Sequence, residues 1–178
     1  LESLGWQTFY QQQLSLDDQD RAAPARVSAV HRSEIEVMGL CSVRRINRNL
    51  FPDDGVAVGD WLLLDTGTGR PLRLLERRSQ VWRKAAGERS ERQLIAANID
   101  TLFIVTSCNR DFNESRIERY LALAHEAGIF PVVVITKADA CDDPDAYRRR
   151  AGRVQPGLVV ECVNALDPRT LDGVRTVS

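Results

Sequence analysis

The chain has 178 residues, of which 43% are apolar and 28% charged, as is typical of a globular protein with one sizeable domain or two small ones. The net charge of −1 does not indicate any class of partner. The cysteines form no C-x-x-C pair, so they indicate neither a disulfide framework nor a zinc site: Cys41, Cys108, Cys141 and Cys162. With neither a membrane-spanning run nor a signal-peptide pattern, we expect a cytoplasmic protein without a membrane partner.

Residues 1–23 are predicted to be an N-terminal extension. A short helix over Trp6–Leu14 and a flexible joint after it are expected, and the segment carries no recognisable chemistry.

Residues 24–76 are predicted to form a small all-β barrel. The alternating or apolar runs that predict its strands are Ala25–Val30, Glu34–Met38, Cys41–Ile46, Val56–Leu64 and Pro71–Leu75. Gly59 interrupts the fourth run and predicts a bulge or a sharp bend there. Five short strands in about 55 residues favour an OB-fold, although an SH3-like barrel has the same pattern.

Residues 77–92 are polar and basic, and they predict a linker between two domains. Residues 70–92 carry eight Lys or Arg against three Glu, a local excess that suits nucleic-acid phosphates. Trp82 can stack on a base, or it can pack the linker onto the barrel. The predicted RNA-binding residues are Arg44, Arg45, Arg77, Arg78, Trp82, Arg83 and Lys84. The alternative is that the basic residues form a merely solvated face.

Residues 93–178 alternate strands with helices. Strands are predicted over Thr101–Thr106, Pro131–Ile135 and Leu158–Val163, with a helix between each pair. Asn113 and Asp143 are predicted to cap the two helices. This order predicts an α/β domain with a parallel sheet.

A polar tetrapeptide, Thr136-Lys137-Ala138-Asp139, follows the central strand of this sheet. It lies at the carboxyl edge, where open α/β sheets bind ligands. The stem of Lys137 can lie along a flat ring while the Asp139 carboxylate accepts two parallel N–H donors, such as N1 and N2 of guanine. Adenine offers no such pair, because its N1 is an acceptor. The alternative reading is a strand that ends in an ordinary polar turn.

The next strand ends in Asn164-Ala165-Leu166, where a small residue lets a backbone N–H approach the guanine O6. The phosphate-binding pattern G-x-x-x-x-G-K-[ST], which precedes these motifs in a usual P-loop protein, occurs nowhere upstream. The base-reading half therefore comes first, which indicates a circular permutation.

The sequence resembles the circularly permuted GTPases that depend on the small ribosomal subunit (the RsgA/YjeQ family). The resemblance spans nearly the whole chain and is carried by Val58–Trp61, Ala96–Asp100, Arg116–Leu121, Thr136–Asp139 and Val163–Leu166. It implies an OB-fold, then a partial, permuted P-loop GTPase domain. It also implies hydrolysis of GTP to GDP with Mg²⁺, stimulation by the small subunit, and ribosomal RNA as partner in late subunit maturation. A zinc-binding C-terminal domain, beyond this chain, is implied as well, and we expect a monomer.

The resemblance assigns guanine binding to Thr136, Lys137, Ala138, Asp139, Asn164, Ala165 and Leu166. Thr136 stands where the family usually has Asn, which loses an amide donor, and Asn164 stands where Ser is frequent. The chain begins without Met, and we expect it to be part of a longer protein. No catalytic residue is expected within it. Alone, it should not hydrolyse GTP. Two alternatives remain: an RNA-binding OB module on a nucleotide-inactive α/β scaffold, and a plain α/β protein.

Overall fold

The computed structural model of the chain describes residues 1–39, 42–51, 55–84 and 92–176, and of Lys84 only the backbone. It divides into two compact units, Leu1–Ile99 and Asp100–Ser178. Within the described ranges, no helix is long and apolar enough to cross a membrane.

The N-terminal unit begins with two short helices and continues as β-structure. Its described elements are α1 (Thr8–Gln11), α2 (Leu16–Arg21), β1 (Ala22–Val30), β2 (Glu34–Met38), β3 (Val43–Asn47), β4 (Trp61–Asp65), β5 (Pro71–Leu74), β6 (Gln80–Lys84) and β7 (Arg92–Ala97). Strands β1 to β5 form an antiparallel sheet in the order β3-β2-β1-β4-β5. The predicted antiparallel strands are thus confirmed. The pairings among the described residues end at β3 and β5, so closure into an OB-type barrel stays a prediction.

Strand β4 is buried on both faces, and this explains its continuous apolar run. Leu62 and Leu64 point into one core cluster, with residues of β1 and β2. Trp61 and Leu63 point to the opposite side, into a second cluster that contains Tyr10. The first residues of the chain therefore cover the outer face of β4.

The N-terminal segment is accordingly a packed part of this unit, and the predicted flexible joint is wrong. The rings of Trp6 and Tyr10 lie 4.7 and 5.7 Å from the ring of Trp61. Residues 16–21 form α2, which begins with a capping box. The Ser15 hydroxyl accepts a hydrogen bond from the Asp18 backbone N–H, and the Asp18 carboxylate accepts one from the Ser15 N–H.

The predicted bend at Gly59 is confirmed, and β4 begins only after it. Gly59 has φ +92°, and a Cβ at this position would lie 2.0 Å from the carbonyl oxygen of Ala97. Both the backbone conformation and the close approach therefore require glycine.

The segment predicted as a linker over 77–92 contains a strand in its described part. Strand β6 pairs antiparallel with β7 in a two-stranded sheet, and Val81 is 2% exposed. The division between the two units falls after Ile99, seven residues beyond the predicted boundary. The abundance of charged residues and the lack of strict alternation concealed this strand, Gln80–Lys84.

The C-terminal unit is a parallel sheet with helices between its strands, as predicted. Its described strands and helices are β8 (Thr101–Ser107), α3 (Glu114–Ala127), β9 (Phe130–Thr136), α4 (Pro144–Gly152), β10 (Val159–Cys162) and α5 (Asp172–Thr176). The strand order is β10-β9-β8, and both pairings are parallel.

Strand β9 lies between the other two, and alternate residues of its apolar run face opposite sides of the sheet. Val133 and Ile135 pack in one cluster with side chains of α3, whereas Val132 and Val134 pack in a second cluster. The predicted caps of α3 and α4 are confirmed: the Asn113 side chain accepts from the Arg116 N–H, and that of Asp143 accepts from the Ala146 N–H. These helices and cores position the carboxyl ends of β9 and β10 side by side.

Candidate functional site

The turn that follows β9 carries the first group of predicted guanine-binding residues. The Thr136 hydroxyl donates to the carbonyl oxygen of Thr106 at 2.9 Å, and the Thr136 carbonyl accepts from the Cys108 N–H at 2.9 Å. Lys137 has φ 58°, in the left-handed region that residues other than glycine seldom adopt. After it, residues 138–140 form a short 3-10 turn.

The second predicted loop begins directly beside this turn. The Ala138 N–H donates to the carbonyl oxygen of Val163 at 3.2 Å, and the Val163 N–H donates to the carbonyl of Ile135 at 2.9 Å. The structure thus brings the two loops together at one edge of the sheet. Nothing in the sequence pattern alone specified the hydrogen bond between them.

The second loop is held by side chains that the sequence analysis did not identify. The Thr170 hydroxyl lies 2.8 Å from the carbonyl oxygens of both Asn164 and Asp167, which share its single proton, and the Asn164 N–H donates to this hydroxyl at 3.1 Å. The Asn164 side chain in turn accepts from the Leu166 N–H at 3.0 Å. Asn164 is therefore occupied in shaping the loop. The signal in the sequence was the D-P-x-T pattern of a capped turn over 167–170.

Several of the predicted guanine-binding groups face solvent. Lys137, Asp139 and Ala165 are exposed, and Leu166 is 90% exposed. Among the described residues, the Asp139 carboxylate makes no hydrogen bond or ion pair, so its oxygens are available as acceptors. A carboxylate on a rigid turn is well suited to accept two N–H groups of one planar ligand.

Three cysteines lie beneath these loops as ordinary free thiols. Cys108, Cys141 and Cys162 belong to, or pack against, one apolar cluster. Burial, and then the neighbouring Cys141 thiol, raise the pKa of Cys108 to about 12. Within the described ranges, no group of His, Cys, Asp or Glu could hold a metal ion, and Cys41 lies outside those ranges.

One predicted RNA-binding residue has a different role in the structure. Arg77 donates from Nε and Nη2 to the two carboxylate oxygens of Asp60, at 2.7 and 2.8 Å. Asp60 is fully buried, and its carboxylate also accepts from the Ala57 N–H at 2.8 Å. The Arg77 side chain is only 14% exposed. We therefore correct the prediction and exclude Arg77 from the RNA-binding residues.

The remaining predicted RNA-binding residues lie on separate elements. Arg44 and Arg45 are exposed on β3, where Arg44 lines a cavity of about 210 Å³ and Arg45 pairs with Glu34 and Glu36. Arg78 is exposed in the segment after β5, and Arg83 is exposed on β6. Trp82 is half-buried on β6, and the side chain of Lys84 lies outside the described part.

The fold has close counterparts among solved structures. The crystal structure of YjeQ from Thermotoga maritima matches with a TM-score of 0.58 and 19% identity, covering 87% of this chain and 55% of that one. YloQ, described as a circularly permuted GTPase, matches with a TM-score of 0.57 and 19% identity, covering 88% of this chain and 55% of that one. The chain therefore shares its fold with the matched parts of these two structures.

The sequence comparisons are more specific. The RsgA GTPase family model matches residues 74–177. A small ribosomal subunit biogenesis GTPase RsgA 2 of Vibrio parahaemolyticus is 49% identical over 168 residues, which are 94% of this chain and 46% of that protein. The RsgA of Mesorhizobium japonicum is 43% identical over 171 residues, 94% of this chain and 48% of that protein. The chain belongs to the RsgA GTPase family, and it spans about half the length of the curated relatives it matches.

Proposed function

We propose that this chain is the guanine-recognising part of a GTPase that acts in small ribosomal subunit biogenesis. The observation that carries the proposal is the hydrogen bond from the Ala138 N–H to the Val163 carbonyl, which joins the two predicted base-reading loops. The exposed carboxylate of Asp139 beside this junction supports it. The relatives are named small ribosomal subunit biogenesis GTPases, which supports the wider role.

Each group of the site has one task in this proposal. The Asp139 carboxylate accepts the N1–H and N2–H of the guanine, and the stem of Lys137 packs along its ring. The backbone N–H near Ala165 donates to O6. Adenine is rejected because its N1 would face the carboxylate as an unpaired acceptor.

Hydrolysis of GTP to GDP is assigned to the full-length protein. The chain contains no G-x-x-x-x-G-K-[ST], so we place the phosphate loop, the Mg²⁺ ligands and the zinc-binding domain outside it. Magnesium would supply charge stabilisation at the transferred phosphate. On its own, the 178-residue chain is expected to be inactive.

The N-terminal unit is proposed to bind ribosomal RNA through an OB-type barrel. Its exposed cations Arg44, Arg78 and Arg83 support this, because phosphate contacts provide most of the affinity for nucleic acids. A monomeric protein in the cytoplasm, with the small ribosomal subunit as partner, completes the proposal.

The test is a change of base preference in the full-length protein. Asp139→Asn should weaken GTP binding about 100-fold, since a charged acceptor of two hydrogen bonds is lost. The same variant should bind xanthosine triphosphate more tightly than the native protein does, because C2 of xanthine carries an oxygen that the new amide can donate to.

Asp142→Asn is the matched control, because Asp142 is an exposed carboxylate three residues further along. It should leave both affinities unchanged. GTP binding of native strength in Asp139→Asn, measured by titration with a fluorescent nucleotide, would contradict the proposal.

A further inference from the structure

The base-reading turn has an unfavourable conformation at its centre. Lys137 lies in the left-handed region, at φ 58°. This conformation costs free energy for most residues other than Gly, Asn and Asp. Such a conformation persists only when contacts on both sides hold it. Asp139 lies two residues further on, so its direction depends on the same contacts.

On the far side of Lys137, one backbone hydrogen bond holds the turn to the second loop, from the Ala138 N–H to the Val163 carbonyl. On the near side, Thr136 makes two hydrogen bonds, one to β8 and one to the residue directly after β8. Its carbonyl accepts from the Cys108 N–H, and its hydroxyl donates to the Thr106 carbonyl, each at 2.9 Å. The hydroxyl has one proton, and that proton is directed into the sheet.

The acceptor of this hydroxyl is itself fixed by side chains. Thr106 is 6% exposed, and its own hydroxyl donates to the Asp111 carbonyl at 3.4 Å and accepts from Arg116 Nη2 at 3.4 Å. Arg116 also donates to the Asp111 carbonyl. A continuous series of contacts therefore runs from α3 through the end of β8 to the residue before Lys137.

We infer that Thr136 is a positioning residue for base recognition, which aligns Asp139 with guanine by anchoring the turn to the Thr106 carbonyl. The inference rests on the proposed function and adds a role for the hydroxyl. Thr136 does not touch the base in this arrangement. It sets how well both oxygens of Asp139 meet N1–H and N2–H at the same time.

The test uses the full-length protein and three variants. Thr136→Val removes the hydroxyl and keeps the branched shape, while Thr136→Ser keeps the hydroxyl and removes a methyl group. Thr106→Val leaves the backbone acceptor in place but removes its link to Arg116. Affinities for GDP and for inosine diphosphate, which lacks the 2-amino group, are measured with a fluorescent competitor.

Thr136→Val should bind GDP about fivefold more weakly, the factor for one net hydrogen bond. Its preference for GDP over inosine diphosphate should fall, because a misaligned carboxylate gains less from the second donor. Thr136→Ser should restore both the affinity and the preference. Thr106→Val should also lower the preference for GDP over inosine diphosphate, by a smaller factor. If Thr136→Val does not fold, this variant provides the test of the inference.

A native preference in both Thr136→Val and Thr106→Val overturns the inference, since a purely structural role would weaken both nucleotides equally. A serine variant as weak as the valine variant overturns it too, because the methyl group would then be the cause. If Asp139→Asn switches the base preference while Thr136→Val does not alter it, only the positioning role fails. If Asp139→Asn has no effect either, the proposed guanine site itself fails.

Discussion

Replacing Arg77 by methionine should destabilise the N-terminal unit severely. The guanidinium is the only cationic partner within the described residues that contacts the buried Asp60 carboxylate, with bonds of 2.7 and 2.8 Å. Without it, the fully buried charge keeps, among the described residues, the Ala57 N–H at 2.8 Å as its hydrogen-bond donor. Breaking a buried pair by removing one partner costs about 3–5 kcal/mol, which is a large part of a typical domain stability of about 5–15 kcal/mol.

The measurement is urea unfolding of the 178-residue chain, followed by tryptophan fluorescence, because Trp61 is fully buried next to Asp60. Arg45→Met is the matched control. Arg45 also contacts carboxylates, those of Glu34 and Glu36, but its side chain is 66% exposed and its loss should cost less than about 1 kcal/mol.

A second change separates the charge from the packing. Asp60→Asn in the Arg77→Met background neutralises the buried charge while an oxygen remains for the Ala57 N–H. It should recover part of the loss. A loss for Arg77→Met no larger than for Arg45→Met, or no recovery in the double variant, would refute the reasoning that a stranded buried charge dominates.

Two further predictions concern other parts of the N-terminal unit. In the full-length protein, the double variant Arg78→Gln/Arg83→Gln should reduce the slope of log affinity for small subunits against log salt concentration by about two. The control Arg119→Gln, at an exposed position on α3, should leave the slope unchanged. If the double variant also has the native slope, Arg78 and Arg83 do not contact RNA. The second concerns Asp18, whose pKa falls from 3.8 to about 2 because it accepts hydrogen bonds from the Arg73 guanidinium and from Ser15. A carboxyl group whose pKa is lowered by folding contributes its full stabilisation when the pH is above its ordinary pKa. This contribution to the free energy of unfolding is lost as the pH falls from 3.8 towards 2. Asp18→Asn should therefore flatten the fall of the unfolding temperature over that range, and an unchanged pH profile would show that Asp18 is not responsible.

The helices and strands of the C-terminal unit could be predicted from the sequence, because the signals that determine them are local. The run Val132 to Ile135 is long enough only for a buried strand, and the caps at Asn113 and Asp143 act within three residues of themselves. Parallel strands place their carboxyl ends at one edge, and because β9 and β10 are paired in the sheet the two polar loops lie side by side.

What could not be predicted depends on partners far apart in the chain. Arg77 and Asp60 are 17 residues apart, and no periodicity connects a basic stretch to one buried carboxylate. A still larger separation along the chain hid the packing of Trp6 and Tyr10 on Trp61, which makes the predicted extension part of the core. Thr106 could not be predicted for a related reason: it meets Thr136 through its backbone carbonyl, a group that every residue has.

The aromatic cluster on β4 has a consequence for spectroscopy. All three tryptophans of the chain belong to the N-terminal unit: Trp6, Trp61 and Trp82. The C-terminal unit has no tryptophan, and its tyrosines are Tyr120 and Tyr147. Excitation at the red edge of indole absorption, where tyrosine does not absorb, therefore produces emission from the N-terminal unit and none from the C-terminal unit. In the 178-residue chain, a change in that emission when a guanine nucleotide is added would therefore report an event in the N-terminal unit, without any label.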